Sequence, residues 1–236
     1  MSNRWLTDGG IYAETEGFMM AIQDEVIATR NYVKHIIKEA NAPEDRCRRC
    51  GNVGETIDHI ISACTTLAQN DYLKRHNNVA KIIHQELLKY HQVTNESPYY
   101  YEYTPEPVVE NDNIKIYYDR TIHTGHTREH NRPDITIIDK REKSATLVDI
   151  AVPLSRNMTK TRHEKISKYS ELAVEIKTMW NLNNVRIVPI IISSIGLIPR
   201  NLRDDLASLH LKPELITKMQ KAVIIDTCHI VRKFLQ

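Results

Sequence analysis

Two groups of side chains in this sequence have types and spacings that suit metal ions. The first is Cys47, Cys50, His59 and Cys64, a C-x2-C-x8-H-x4-C pattern holding three of the four cysteines. Two thiolates on one tight turn can grip one side of a tetrahedral ion, and His59 with Cys64 can close the other side from a short helix. Gly51 and Gly54 fall inside the loop although the whole chain has only seven glycines, as a tight metal-binding turn requires. Protein atoms fill all four positions, so the expected zinc is structural rather than catalytic. Cys228, beside His229, reads as a small buried residue.

The second group is a pair of carboxylates. Asp149 interrupts the apolar run TLVDIAV, where an unpartnered charge is costly. Asp134 follows Pro133 at the entry to the preceding strand, with fourteen residues between it and Asp149. If the two strands pair as a hairpin, both carboxylates meet at one end of a sheet. Two hard oxygen ligands at close quarters are what magnesium or manganese uses to activate water and to stabilise phosphate charge. The residues alone leave another possibility open, in which Asp134 caps a turn and Asp149 pairs with an arginine.

A lysine that orients the attacking water is expected two residues after the second acid, but Ala151 stands there. The helix that follows offers replacements. Its apolar positions Ile166, Tyr169, Ala173, Ile176 and Trp180 define one face. At about 100° per residue, Lys165 lies on the border of that face and Lys168 more than about 90° from its centre. Lys165 is therefore the expected partner of the acids, and Lys168 is expected toward solvent or a nucleic-acid backbone. Arg162, within the stripe one turn earlier, is expected near the same end, where it could contact phosphate.

The elements that must position these residues follow from periodicity. A helix is expected from Thr15, as N-cap, to about Ala40, ended by Pro43, and a second from Tyr72 to about His91. The texture then turns β-rich, with YYYEY at 99–103, IKIYY at 114–118, DITIID at 134–139 and TLVDIAV at 146–152. A long helix follows Pro153, then a strand at 185–194 and a helical tail broken near Pro213. This order predicts an α/β sandwich whose central strand is covered on both faces. The expected divisions are an N-terminal helical segment (1–43), a zinc finger (44–66), an α/β core (67–200) and a C-terminal helical extension (201–236).

Composition sets few limits. The 236 residues are 41% hydrophobic and 26% charged, an ordinary globular mixture, and the net charge of +2 does not by itself indicate nucleic acid. The charge is uneven, however. Arg30, Lys34, Lys38, Arg46, Arg48 and Arg49 crowd the first cysteines, and Arg156, Lys160, Arg162, Lys165 and Lys168 crowd a second span. These runs read either as phosphate-facing patches or as solvated helix faces. No stretch approaches roughly eighteen consecutive apolar residues, and MSNRWLTDGG lacks a secretory pattern, so an intracellular, reducing compartment is expected.

Taken in order, WL near the start, ETEGFMMAIQDEVIATRNY, the CRRC to HIISAC segment, RHN at 75–77, NRPDITIID, LVDIAVP, EKISKY and VRIVPIIIS with SIGLIP cover nearly the whole chain. Together they make it resemble the restriction-like endonuclease region, with its CCHC zinc finger, of non-LTR retrotransposon polyproteins. The resemblance implies a restriction-endonuclease-like core, related to archaeal Holliday-junction resolvases, that nicks DNA so that the exposed 3′ hydroxyl primes reverse transcription. It places Asp134 and Asp149 in a PD…D motif, Lys165 and Lys168 in a displaced K-x-x-K-Y element ending at Tyr169, and Asp119 of YYDR where an acid often follows an aromatic. It also implies magnesium or manganese at the acids, a double-stranded DNA target, element RNA as a possible partner, a reverse transcriptase N-terminal in a longer polyprotein, and a nuclear location. Arg48, Arg49, Arg132, Arg162 and Tyr169 are the expected nucleic-acid contacts. Two other functions stay open, an inactive or domesticated nucleic-acid-binding module and a structure-specific junction resolvase. His123, His126 and His130 of HTGHTREH read as a polar loop lining the DNA groove, with a second metal site as the alternative.

Overall fold

The computed structural model describes residues 2–96, 98–126 and 129–236. Along the chain run helices α1 (Arg4–Asp8), α2 (Ala13–Gln23), α3 (Arg30–Tyr32), α4 (Ile57–Ser62), α5 (Thr65–Leu67) and α6 (Leu73–Tyr90). Strands β1 (Val108–Glu110), β2 (Ile114–Tyr118), β3 (Ile135–Asp139) and β4 (Ser144–Ala151) follow. Helix α7 (Met158–Met179) leads to β5 (Asn184–Ile191), and α8 (Leu202–Ser208) and α9 (Leu215–Leu235) close the described fold.

The strands form one mixed sheet in the order β1-β2-β3-β4-β5, antiparallel except for the parallel β4–β5 pair. A parallel pair needs a crossover, and α7 supplies it. Pro189 is tolerated because β5 is an edge strand. Alternation divides β4 between two layers. Val148 and Ile150 join Ile82, Ile83, Leu87 and Met219 in the core under α6 and α9, whereas Ala145 and Leu147 pack with Tyr169, Leu172 and Ile176 of α7. The chain is thus α/β, a five-stranded mixed sheet flanked by helices on both faces.

A second core joins Trp5, Met19 and Ile22 to Ile57, Ile60, Ile61 and Cys64, and to Ile224, Val231 and Phe234 of α9. The boundaries drawn at 43 and 66 therefore fall inside one packed unit. Helix α9 is no peripheral extension, since its N-terminal half also seals the sheet core.

Three expectations need correcting. The helix drawn from Thr15 to Ala40 starts at Ala13 and stops at Gln23, and Tyr12, not Thr15, is its N-cap. Glu25 adopts a left-handed φ of 59°, and Thr29 restarts the chain by accepting a hydrogen bond from Tyr32 N. Val26, Ile36 and Ile37, apolar residues within that expected helix, are exposed. YYYEY is a turn in which the Tyr99 and Tyr101 rings stack, and the sheet's first strand is Val108–Glu110 instead. On α7 the buried face is Tyr169, Leu172 and Ile176, while Ile166 is exposed.

Candidate functional site

Cys47, Cys50, His59 and Cys64 converge, with one ligand atom from each within 4.8 Å of the others. Cys47 Sγ lies 3.9 Å from Cys64 Sγ, and Cys50 Sγ 3.4 Å from His59 Nε2. Zinc bonded at ~2.3 Å to sulfur and ~2.0 Å to nitrogen gives tetrahedral edges of roughly 3.4–3.8 Å, so the cluster could hold a metal such as zinc. Local sequence builds it. Gly51, at φ 69°, turns the chain after Cys50 and donates its N–H to Cys47 O. Thr56 caps α4 through His59 N and so fixes the helix that carries the histidine. Burial pushes His59 down, favouring the neutral, ligating imidazole.

The basic residues of this module bind protein. Glu55 is fully buried, and Arg48 grips both its oxygens, Nη2 to Oε1 at 2.7 Å and Nε to Oε2 at 3.0 Å. Burial would raise the Glu55 carboxyl, but Arg48 and the N–H groups of Arg48 and Arg30 hold it below its ordinary value. Arg49 lies over the Phe234 ring and donates to Lys233 O. Both arginines expected to contact nucleic acid instead tie the module to its own loop and to α9, because a buried carboxylate and free helix-end carbonyls compete for them.

The acids meet at one end of the sheet. Ile135 pairs with Val148 and Tyr118 with Ile135, so extending each register by one residue sets Asp119 opposite Asp134 and Asp134 opposite Asp149. Asp134 Oδ2 accepts from Ile150 N at 2.6 Å and from His76 Nε2 at 3.1 Å. Burial alone would raise this carboxyl, yet His76 and the Ile150 N–H outweigh it and hold it below the usual aspartate value. His76 is correspondingly raised: burial opposes its charge, but the hydrogen bond to Asp134 wins.

Asp149 faces the α7 layer and its side chain is 3% exposed. Tyr169 donates to its Oδ1 at 2.8 Å, and Lys165 Nζ stands 2.5 Å from Oδ2. That close approach lacks hydrogen-bond geometry, so Oδ2 has charge compensation but no directed donor. Tyr169 is fully buried and its hydroxyl is pushed up, first by burial and then by the Asp149 charge. It orients the acid from inside the protein, where no nucleic acid reaches it.

The remaining expected contacts are distributed differently. Lys168 lies over the Tyr169 ring, 4.7 Å from its centroid, and lines a cleft of about 740 Å³ with His130, His163 and Glu164 that the acids do not line. Arg162 forks onto Asp205 at 2.6 and 2.8 Å and is occupied by the fold rather than facing phosphate. Arg132 forks onto Asp119 at 2.7 Å through both contacts, and Asp119 itself sits at a left-handed φ of 49°. His126 contacts Glu175, and the three loop histidines do not gather into a ligand set among the described residues. Thr127 and Arg128 of the HTGHTREH loop lie outside the described residues. Cys228 is buried, its thiol pushed up to about 12 by that burial.

His76 is the site residue that sequence reasoning did not assign. A signal existed in helical phase. With Tyr72, Val79, Ile82, Ile83 and Leu87 on one face, Arg75 and His76 fall inside that apolar stripe at about 100° per residue. Two polar residues on a core-facing stripe require buried partners.

No protein-family model matches the chain, and no curated protein matches it significantly. Among the described residues, no helix is long and apolar enough to cross a membrane.

Proposed function

We propose that the chain is a restriction-like endonuclease module that nicks double-stranded DNA by metal-dependent phosphodiester hydrolysis, as in target-primed reverse transcription. One observation carries the reading: Asp134 and Asp149 stand opposite each other across the β3–β4 hairpin, with Lys165 of the next helix on Asp149. The residues fit a hard divalent cation. They offer carboxylate oxygens at a sheet end, and Asp149 Oδ2 is a buried oxygen that no donor is aimed at. Magnesium or manganese bound there would supply Lewis-acid stabilisation of the phosphate charge and a more acidic water.

The chain's own groups do the rest. Tyr169 and the Ile150 N–H fix one oxygen of each carboxylate, and the other oxygen of Asp149 is compensated by Lys165, which an entering ion would displace. Lys165, 23% exposed at its side chain, holds the attacking water through its ammonium, and the proton that this water loses on attack leaves to solvent. Lys168, on the cleft side of α7, holds the flanking phosphate. The Cys3His module, with zinc, stiffens the neighbouring core. In this reading the natural partners are chromosomal DNA, element RNA and a reverse transcriptase in the same polyprotein, acting in the nucleus.

A second reading, a binding module without catalysis, is favoured by the absence of a lysine at Ala151 and by the pairing of both acids with the chain's own cations. A supercoiled-plasmid nicking assay in magnesium and in manganese separates the two. Nicking that falls at least ~100-fold in both Asp149→Ala and Lys165→Ala supports the nuclease. Undiminished nicking by either variant rejects the assignment, and binding without any nicking by the wild type favours the idle module.

A further inference from the structure

The Cys3His module and the acid centre are tied to the same turn of chain. Tyr72, Arg75 and His76 stand at i, i+3 and i+4, which places them side by side on one helical face. Two of them hold the metal-ligand helix and the third holds a catalytic acid.

Tyr72 directs its hydroxyl at the end of α4. It accepts from Cys64 N at 3.1 Å and donates to Ile60 O at 2.6 Å, with His59 O at 3.2 Å. Arg75 donates Nη2 to Ile61 O at 2.8 Å. Those carbonyls belong to the last turn of the helix that carries His59; His59 O also accepts from Ala63 N, whereas Ile60 O and Ile61 O are end groups of the kind a helix leaves without intrahelical partners. Arg75 also donates Nη1 to Thr227 Oγ1 at 2.8 Å, and Thr227 donates to Ser194 O just beyond β5. The guanidinium is 2% exposed and its hydrogen-bond partners are a carbonyl and a hydroxyl, with no carboxylate among them. The Tyr72 ring lies 5.3 Å from the guanidinium and the Asp226 charge acts on it, but burying a cation without a directly bonded carboxylate is still costly. The adjacent residue, His76, then presents Nε2 to Asp134 Oδ2 and to Ile150 O, at 3.1 and 3.2 Å.

We propose that Tyr72 and Arg75 are positioning residues for the acid centre: they key the start of α6 to the Cys3His helix, and so fix the ring of His76 against Asp134. The zinc module thereby sets the geometry of a carboxylate in the other core. The link of this geometry to catalysis rests on the nuclease reading above; the geometry itself does not.

The test separates the two. Tyr72→Phe keeps the ring and removes only the hydroxyl, which makes it a gentler probe than any change at buried Arg75. Histidine ring signals are recorded by NMR in zinc-loaded wild type and Tyr72→Phe. His84, two turns further along α6 and bonded to Tyr103, serves as the internal reference. The expected result is a displaced His76 signal with His84 unmoved. In the nicking assay, the magnesium concentration for half-maximal rate should rise ~10-fold with little change in rate at saturating metal. An unmoved His76 signal overturns the proposal, and so does an equal displacement of His84, which would mean general loosening of the helix. If the wild type does not nick at all, the nuclease reading fails while the NMR comparison still decides the positioning role.

Discussion

The two metal-suited regions are built on opposite plans. In the Cys3His module, four ligands from one stretch of eighteen residues converge on a common centre, and the surrounding charges, Arg48 with Glu55 and Arg49 over Phe234, lock the stretch onto α9. In the acid centre, the groups come from α6, the β3 entry, β4 and α7, and each acid is held by a cation of the chain itself. A closed local site serves the fold. An assembled site whose acids are compensated by removable side chains keeps its oxygens available to something else.

Removing a ligand from the closed site should have the largest effect. Cys64→Ser is expected to release the metal and lower stability by on the order of 5 kcal/mol, since small zinc-finger peptides draw ~10–16 kcal/mol from metal binding. Urea unfolding followed by tryptophan fluorescence would show it, because Trp5 lies in the same core as Cys64. A variant as stable as wild type would break the contrast between the regions.

Arg48→Met comes next. It leaves the fully buried Glu55 carboxylate with two backbone N–H partners and a looser ion pair to Arg30 at 4.0 Å, and should cost about 3 kcal/mol. DNA affinity measured by fluorescence anisotropy should change little, whereas a phosphate-binding arginine would show the reverse pattern.

Lys165→Met should cost about 2–3 kcal/mol, because Asp149 is nearly buried and Tyr169 becomes its remaining partner. Magnesium should restore part of that loss in the variant and add less to the wild type, a difference visible in melting temperatures across a magnesium titration. Equal responses would place the ion elsewhere.

The smallest effect is a pH window. His76 is raised when folded, so its contribution is complete below its ordinary value of 6.5 and fades as pH climbs through the folded value. Asp134 is lowered when folded, so its contribution is complete above 3.8 and fades as pH falls through the folded value. The pair therefore helps most between about pH 4 and 6.5. The stability gap between wild type and His76→Asn should be ~1 kcal/mol near pH 5.5 and narrow above pH 7. A gap that widens with pH would reverse the assigned charge.

The same contrast explains what was readable from sequence. The four Cys and His residues that converge lie within one short segment, so spacing alone located the cluster. Lys165 was readable because a helix has a fixed phase, and that phase separated it from Lys168. Strands β2 to β5 were readable from apolar runs, but the break at Asp24–Thr29 turns on the left-handed Glu25 and a restart at Thr29, which a stripe of apolar residues does not reveal. His76 reaches Asp134 across 58 residues, and Arg162 finds Asp205 across 43. Such partnerships are made by tertiary packing, so residue type alone made Arg162 and Arg48 look like phosphate ligands when buried acids had already claimed them.

The central claim is that Asp134 and Asp149 form a divalent-ion site. Anomalous diffraction from crystals of the zinc-loaded protein soaked in manganese tests it most directly. The expected result is a manganese peak between the two carboxylates, with the Lys165 ammonium withdrawn from Asp149 Oδ2. Zinc at the four Cys and His ligands, no manganese at the acids and Lys165 still seated on Asp149 would contradict it, and would make the acid centre a self-neutralised part of the fold.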